Sequence, residues 1–169
     1  MCLIVLAWRV RADFPLIVAA NRDEFHARPA ERARFWNDHP AILAGRDLEA
    51  KGTWLGVSRA GRFAAVTNYR GGPDASAKES RGALVTRFLV EDLAPGKFME
   101  KVTPNNYSGF NLLLADRNEL WWLSNRDGGS RRLAPGVYGL GNFLLGTPEV
   151  TAPKLQFERS LAPSPSVEP

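Results

Sequence analysis

Cys2 is the single cysteine of the chain and directly follows Met1. Loss of the initiator methionine would leave one residue carrying both a free α-amino group and a thiol, a nucleophile joined to its own base. A thiol pKa near ~8.5 and an α-amino pKa near ~7.7–8.0 are close enough for the amine to hold or relay the thiol proton. The matching chemistry is acyl transfer, in which sulfur attacks a carbonyl carbon and hydrogen-bond donors must face the developing oxyanion. Asn21, Asn68 and Asn142 each end an apolar, strand-like run, and Asp23 is placed to accept a hydrogen bond from an α-ammonium group. Each residue alone has an ordinary reading. A lone cysteine in an apolar strand packs as a small hydrophobe, and asparagine is a common strand-ending residue. The combination of three such carboxamides with a thiol at position 2 is what points to a site.

Around these residues lies Asn21-Arg22-Asp23-Glu24, four polar side chains directly after an apolar strand. Arg22 can meet a carboxylate or hold Asp23, and the ordinary reading is an ion-paired cluster at a strand end. Glu24 alternates away from Asp23 if the segment stays extended. Asn21, Arg22 and Tyr69 are the expected substrate-binding residues, beside Cys2, Asp23, Asn68 and Asn142 as the catalytic set. His26 and His39 lack ligand spacing to each other or to a Cys/Asp/Glu set, so neither a metal nor a cofactor is expected. A single cysteine also excludes an internal disulfide and a Cys-x-x-Cys redox pair.

The elements that must position this set are short. Cys2–Val10 and Leu16–Ala20 read as a strand pair around Arg11-Ala12-Asp13-Phe14-Pro15. Residues 25–52 read as a mostly irregular excursion with a brief strand at Ile42-Leu43-Ala44. Thr53–Ser58 and Arg62–Asn68 flank Gly61, which can take the positive φ of a tight hairpin. A loop follows at Gly71–Ser76. Ser80 then precedes a helix with Leu84, Val85, Phe88 and Leu89 on one stripe, and a second short helix covers Lys97–Val102. Phe110–Ala115 with Glu119–Ser124 forms another hairpin, and Val137–Asn142 a further strand. Of the adjacent Trp121 and Trp122, one faces each side of a strand. Hairpins with helices between them indicate an antiparallel α+β layered domain over residues 1–157, with 158–169 as a Pro/Ser-rich tail or a truncation point.

With 169 residues, 44% hydrophobic and 24% charged, the chain fits one globular domain. The net charge of +4 rests on basic residues scattered mostly as single arginines, with Arg131-Arg132 the nearest approach to a run, which argues against a nucleic-acid patch. A positive surface suits anionic small molecules instead. No stretch approaches the ~20 apolar residues of a membrane span, and the apolar start lacks a basic n-region. The expected location is the cytoplasm. Nothing here speaks to oligomeric state.

Met1-Cys2, Ala19–Phe25 with its Asn-Arg-Asp-Glu core, Arg28-Pro29, Phe35-Trp36, Gly52–Gly56, Thr67-Asn68-Tyr69, Ser80-Arg81-Gly82, Gly109–Leu112 and Tyr138-Gly139-Leu140 together resemble the NRDE family. That family includes the homologues of transport and Golgi organisation protein 2. The resemblance runs to about Pro148. It implies an αββα four-layer sandwich of two antiparallel sheets, similar to N-terminal-nucleophile hydrolases. By the same resemblance to their penicillin V and bile-salt amidase branch, Cys2 matches the nucleophile, Asp23 the amine-holding carboxylate, Asn68 an oxyanion donor and Asn142 a second polar contact to the nucleophile. Those amidases take an arginine from a later region, so either this chain is truncated or its sandwich is incomplete, and Arg22 is not assumed to replace that group.

The implied activity is hydrolysis of a carbon–nitrogen bond by a cysteine amidase. A second reading stands beside it. Family members are associated with haem handling, lipid homeostasis and secretory-pathway organisation, which implies a non-catalytic carrier of a hydrophobic anion such as haem or an acyl lipid.

Overall fold

The computed structural model describes residues 1–71 and 77–161, so most of the expected loop at 71–76 and most of the expected tail lie outside the described residues. Strands β1 (Leu3–Trp8), β2 (Leu16–Asn21), β3 (Ala30–Phe35), β4 (Ile42–Asp47), β5 (Leu55–Ser58) and β6 (Phe63–Asn68) come first. Helices α1 (Arg81–Val90) and α2 (Pro95–Lys101) follow. Strands β7 (Phe110–Ala115), β8 (Leu120–Ser124), β9 (Gly129–Leu133) and β10 (Gly136–Leu140) precede a last helix, α3 (Thr151–Ser160).

The strands form two antiparallel sheets, one of three strands in the order β10-β1-β2 and one of seven in the order β3 through β9. Side-chain alternation sorts the core into two layers. Ile4, Leu6 and Trp8 of β1 pack with Phe63, Ala65, Leu113 and Trp122, which fills the space between the sheets. Ala64, Val66, Leu112 and Leu114 point to the other face and pack under Leu84, Val85, Phe88, Phe98 and Met99 of α1 and α2. Helix α3 contacts β10 and β1. The layers therefore run helix, seven-stranded sheet, three-stranded sheet, helix, and the expected two-sheet α+β sandwich is observed. Trp122 is buried between the sheets, whereas Trp121 packs on the helix side, as their adjacency on one strand requires.

The stretch 25–52 departs from expectation. It is a strand pair, β3 with β4, in which Ala30 faces Asp47 and Phe35 faces Leu43. Strand β3 reads Ala-Glu-Arg-Ala-Arg-Phe and lies at the sheet edge, and charges that keep an edge from pairing further also hide the apolar alternation. The same reason conceals β9, Gly-Ser-Arg-Arg-Leu, at the opposite edge. Helix α3 buries no residue fully, so it shows no apolar stripe to read. Among the described residues no helix is long and apolar enough to cross a membrane.

Candidate functional site

Three strand ends meet at one point. The β1–β10 register pairs Ile4 with Leu140, and two steps further Cys2 comes opposite Asn142. The β1–β2 register pairs Leu3 with Asn21, which carries the chain past Cys2 into Arg22-Asp23-Glu24. Asn68 is the last residue of β6 in the other sheet.

The Asn142 side chain ties these ends together. Its Oδ1 accepts from the Cys2 nitrogen at 2.8 Å, and its Nδ2 donates to the Asn68 carbonyl at 2.8 Å. Beneath it, Thr67 Oγ1 donates to the Gly141 carbonyl at 2.7 Å, and Asn111 Nδ2 donates to the Phe143 carbonyl at 2.8 Å. Thr67 and Asn111 are buried polar residues on opposed positions of β6 and β7. They lock the end of β10, in the small sheet, onto the large sheet. Hydrogen bonds between such buried groups fix one geometry, although the Asn111 Oδ1 has no partner among the described residues.

Cys2 is itself buried, and its Sγ lies 3.8 Å from the Asp23 carbonyl oxygen, a weak thiol contact. The Met1 amino group donates to the Asp23 carboxylate. An inner cavity of about 130 Å³ is lined by Cys2, Arg22, Asp23, Asn68, Ser80 and Arg81, among others. It adjoins an outer one of about 680 Å³, which has Phe25, Tyr69, Arg70 and Phe143 in its wall. Asp23, Glu24, Arg28, Asn68 and Arg81 line both.

Of the expected residues, Cys2, Arg22, Asp23 and Asn68 share the inner cavity, and Asn142 and Tyr69 line the outer one. Tyr69 packs edge-on against Phe143 at a centroid distance of 6.4 Å. Asn21 lines neither cavity; it is an exposed end of β2.

An ion-pair network forms the floor. Asp47 Oδ2 receives Arg28 Nε at 2.7 Å and Arg22 Nη2 at 3.3 Å, while its Oδ1 accepts the backbone N–H groups of Glu49 and Ala50, each at 3.0 Å. Burial alone would raise the Asp47 carboxyl, but the Arg28 hydrogen bond and the two backbone donors outweigh it and hold it below the ordinary range. Arg22 also donates to Glu24 at 3.0 Å, and Arg28 pairs with Glu49 at 2.9 Å.

Arg81 was not singled out by the sequence. It opens α1 and reaches the cavities because Gly82 lies against Thr53: a Cβ on Gly82 would meet the Thr53 oxygen at 3.1 Å. Burial pushes its guanidinium below the ordinary value and the like charge of Arg28 adds to this, while Glu24 and Cys2 act in the opposite direction. The signal that could have found it is the Ser80-Arg81-Gly82 run, a cation followed by a glycine at a helix start.

A family model described as Transport and Golgi organisation 2 matches residues 1–164. The chain is 41% identical over 165 residues to the Transport and Golgi organization protein 2 homolog of Bos taurus, an alignment covering 88% of this chain and 59% of that protein. The Homo sapiens homolog is 40% identical over 163 residues, with the same two coverages of 88% and 59%. The Drosophila melanogaster Transport and Golgi organization protein 2 is 31% identical over 111 residues, 59% of this chain and 39% of that one. The chain thus spans 59% of the length of these mammalian relatives. It belongs to the transport and Golgi organisation 2 family, which is the NRDE family.

Proposed function

We propose that this chain is a cytoplasmic cysteine amidase of the N-terminal-nucleophile type, active once Met1 has been removed. The observation that carries the reading is the Cys2 nitrogen held on Asn142 Oδ1 while Cys2 lines a cavity together with Asp23 and Asn68. Removing Met1 releases the Asp23 carboxylate from the Met1 amino group and gives it the new Cys2 amine as partner.

In the reaction the neutral Cys2 amine takes the thiol proton, and Sγ attacks the amide carbon to form a C–S bond. The tetrahedral oxyanion receives hydrogen bonds from the Asn68 carboxamide and backbone N–H groups. Collapse breaks the C–N bond, and the Cys2 ammonium delivers its proton to the leaving nitrogen. Water, deprotonated by the same amine, then releases the acid and the free thiol. Asn142 is a positioning residue here, because it aims the amine without touching the reacting carbon.

The test is turnover of N-acyl amides by protein whose first residue is Cys2. Cys2→Ala should reduce it to background, a loss of about 10³-fold or more; equal turnover by Cys2→Ala would refute the reading.

A second reading is favoured by the outer cavity, where Phe25, Tyr69 and Phe143 stand beside Arg28, Arg70 and Arg81. This composition suits a hydrophobic anion such as haem or an acyl lipid, carried without turnover in the service of secretory-pathway organisation. Haem titration followed by absorbance separates the two. Saturable binding that survives Cys2→Ala, with no amide hydrolysed, supports the carrier.

A further inference from the structure

Three arginines line the inner cavity, Arg22, Arg28 and Arg81, and among the described residues they differ in their partners. The Asp23 carboxylate has the Met1 amino group, Glu24 has Arg22, and Asp47 has both Arg22 and Arg28. Arg28 is further occupied by Glu49. Arg81 has no carboxylate in ion-pair contact among the described residues, Glu24 acting on it only through space; its Nη1 donates to the Gly109 carbonyl at 3.2 Å. Among the described residues this uses one of the five N–H donors of the guanidinium.

Two further facts make this arginine a recognition group rather than a surface charge. It lines both cavities, so it stands where the chamber of the nucleophile opens into the larger one. It also occupies the first turn of α1, where no acidic residue offsets the helix end, so side chain and helix add to one positive field. A cation in that position costs helix stability unless an anion answers it. Burial disfavours its charge as well, in agreement with the geometry.

We propose that Arg81 binds a carboxylate of the substrate, and that the amides cleaved at Cys2 are N-acylated amino acids or close analogues. This rests on the amidase reading. A planar guanidinium fits a carboxylate through two parallel hydrogen bonds. In an N-acyl amino acid the carboxylate carbon lies three bonds from the scissile carbonyl carbon, so both groups fall within the one cavity that Cys2 and Arg81 line together. The acyl body then extends over Phe143, Tyr69 and Phe25 in the outer cavity. Arg81 fixes the amide in place and takes no part in bond making or breaking.

The experiment compares two probes on one protein: an N-acyl amino acid p-nitroanilide pair is unsuitable because the carboxylate is lost, so the pair is an N-acyl amino acid and its neutral primary carboxamide. Release of the free carboxylic acid of the acyl group is followed by chromatography. The ratio of the two kcat/KM values does not depend on the fraction folded, so it survives a destabilised variant. Wild type should prefer the carboxylate by about tenfold to a hundredfold. Arg81→Gln should bring the ratio near unity by slowing only the carboxylate probe, and Arg81→Lys should recover part of it. An unchanged ratio in Arg81→Gln overturns the assignment of Arg81 while leaving Cys2 as nucleophile. Hydrolysis of neither probe by wild type, together with no acylation of Cys2 by a neutral β-lactone, overturns the amidase reading and this one with it.

Discussion

Gly52 and Gly82 meet backbone to backbone: a Cβ added to Gly52 would lie 2.7 Å from the Gly82 carbonyl carbon. This contact brings the start of α1, with Ser80 and Arg81, against the loop before β5. Gly52→Ala must push α1 outward, because the obstructing atoms are backbone and cannot rotate away. The expected cost is about 1–3 kcal/mol, read from urea unfolding. Gly129→Ala, which would meet nothing within 4 Å, serves as the control and should stay within about 0.5 kcal/mol.

Asn142 gives a prediction that separates positioning from packing. Asn142→Ala removes the acceptor of the Cys2 nitrogen and the donor to the Asn68 carbonyl, which should destabilise by about 1–3 kcal/mol. Asn142→Asp keeps an acceptor but places a negative charge against the Cys2 amine. A nearby anion favours the ammonium form, so the pH profile of Cys2 acylation should move upward by about one unit. A merely structural residue would lower the rate without moving the profile.

Asp47 makes stability depend on acid in a defined direction. Its folded carboxyl titrates below the ordinary ~3.9, so its contribution is present above about pH 4 and is lost as pH falls through the lower folded value. Asp47→Asn strips charge-assisted hydrogen bonds from Arg28 and Arg22 and should cost roughly 1.5–3 kcal/mol at pH 7. The gap between wild type and variant should narrow below about pH 4 in denaturant titrations.

Phe88 tests the helix-side core. It is fully buried, packs at 5.3 Å on Phe98 and is covered by the Arg62 guanidinium at 3.9 Å. Phe88→Ala should destabilise by about 3–5 kcal/mol, measured as a lower urea midpoint.

What the sequence made legible follows from burial. Strands β1, β6, β7 and β8 carry continuous or alternating apolar runs because both their faces are covered, and α1 shows its stripe because Leu84, Val85, Phe88 and Leu89 all enter the core. Strands β3 and β9 escaped because edge positions carry arginines and glutamate in place of a pattern. The neighbourhood of Cys2, Asp23, Asn68 and Asn142 was readable because all four stand at strand ends, and strand ends on one side of two stacked sheets converge. Arg81, Thr67 and Asn111 were not readable as site residues. Thr67 and Asn111 are placed by cross-sheet hydrogen bonds, which no local pattern encodes, whereas for Arg81 the Ser80-Arg81-Gly82 run was the one local signal.

The most direct test of the central claim is intact mass spectrometry of the purified protein before and after a neutral acylating β-lactone, with peptide mapping. The account predicts loss of Met1 and one acyl group per chain on Cys2. It also predicts no acylation of Cys2 in wild-type protein that keeps Met1, prepared by expression with methionine aminopeptidase inhibited. A chain that retains Met1 yet reacts equally well at Cys2, or acylation that persists in Cys2→Ala, would contradict it.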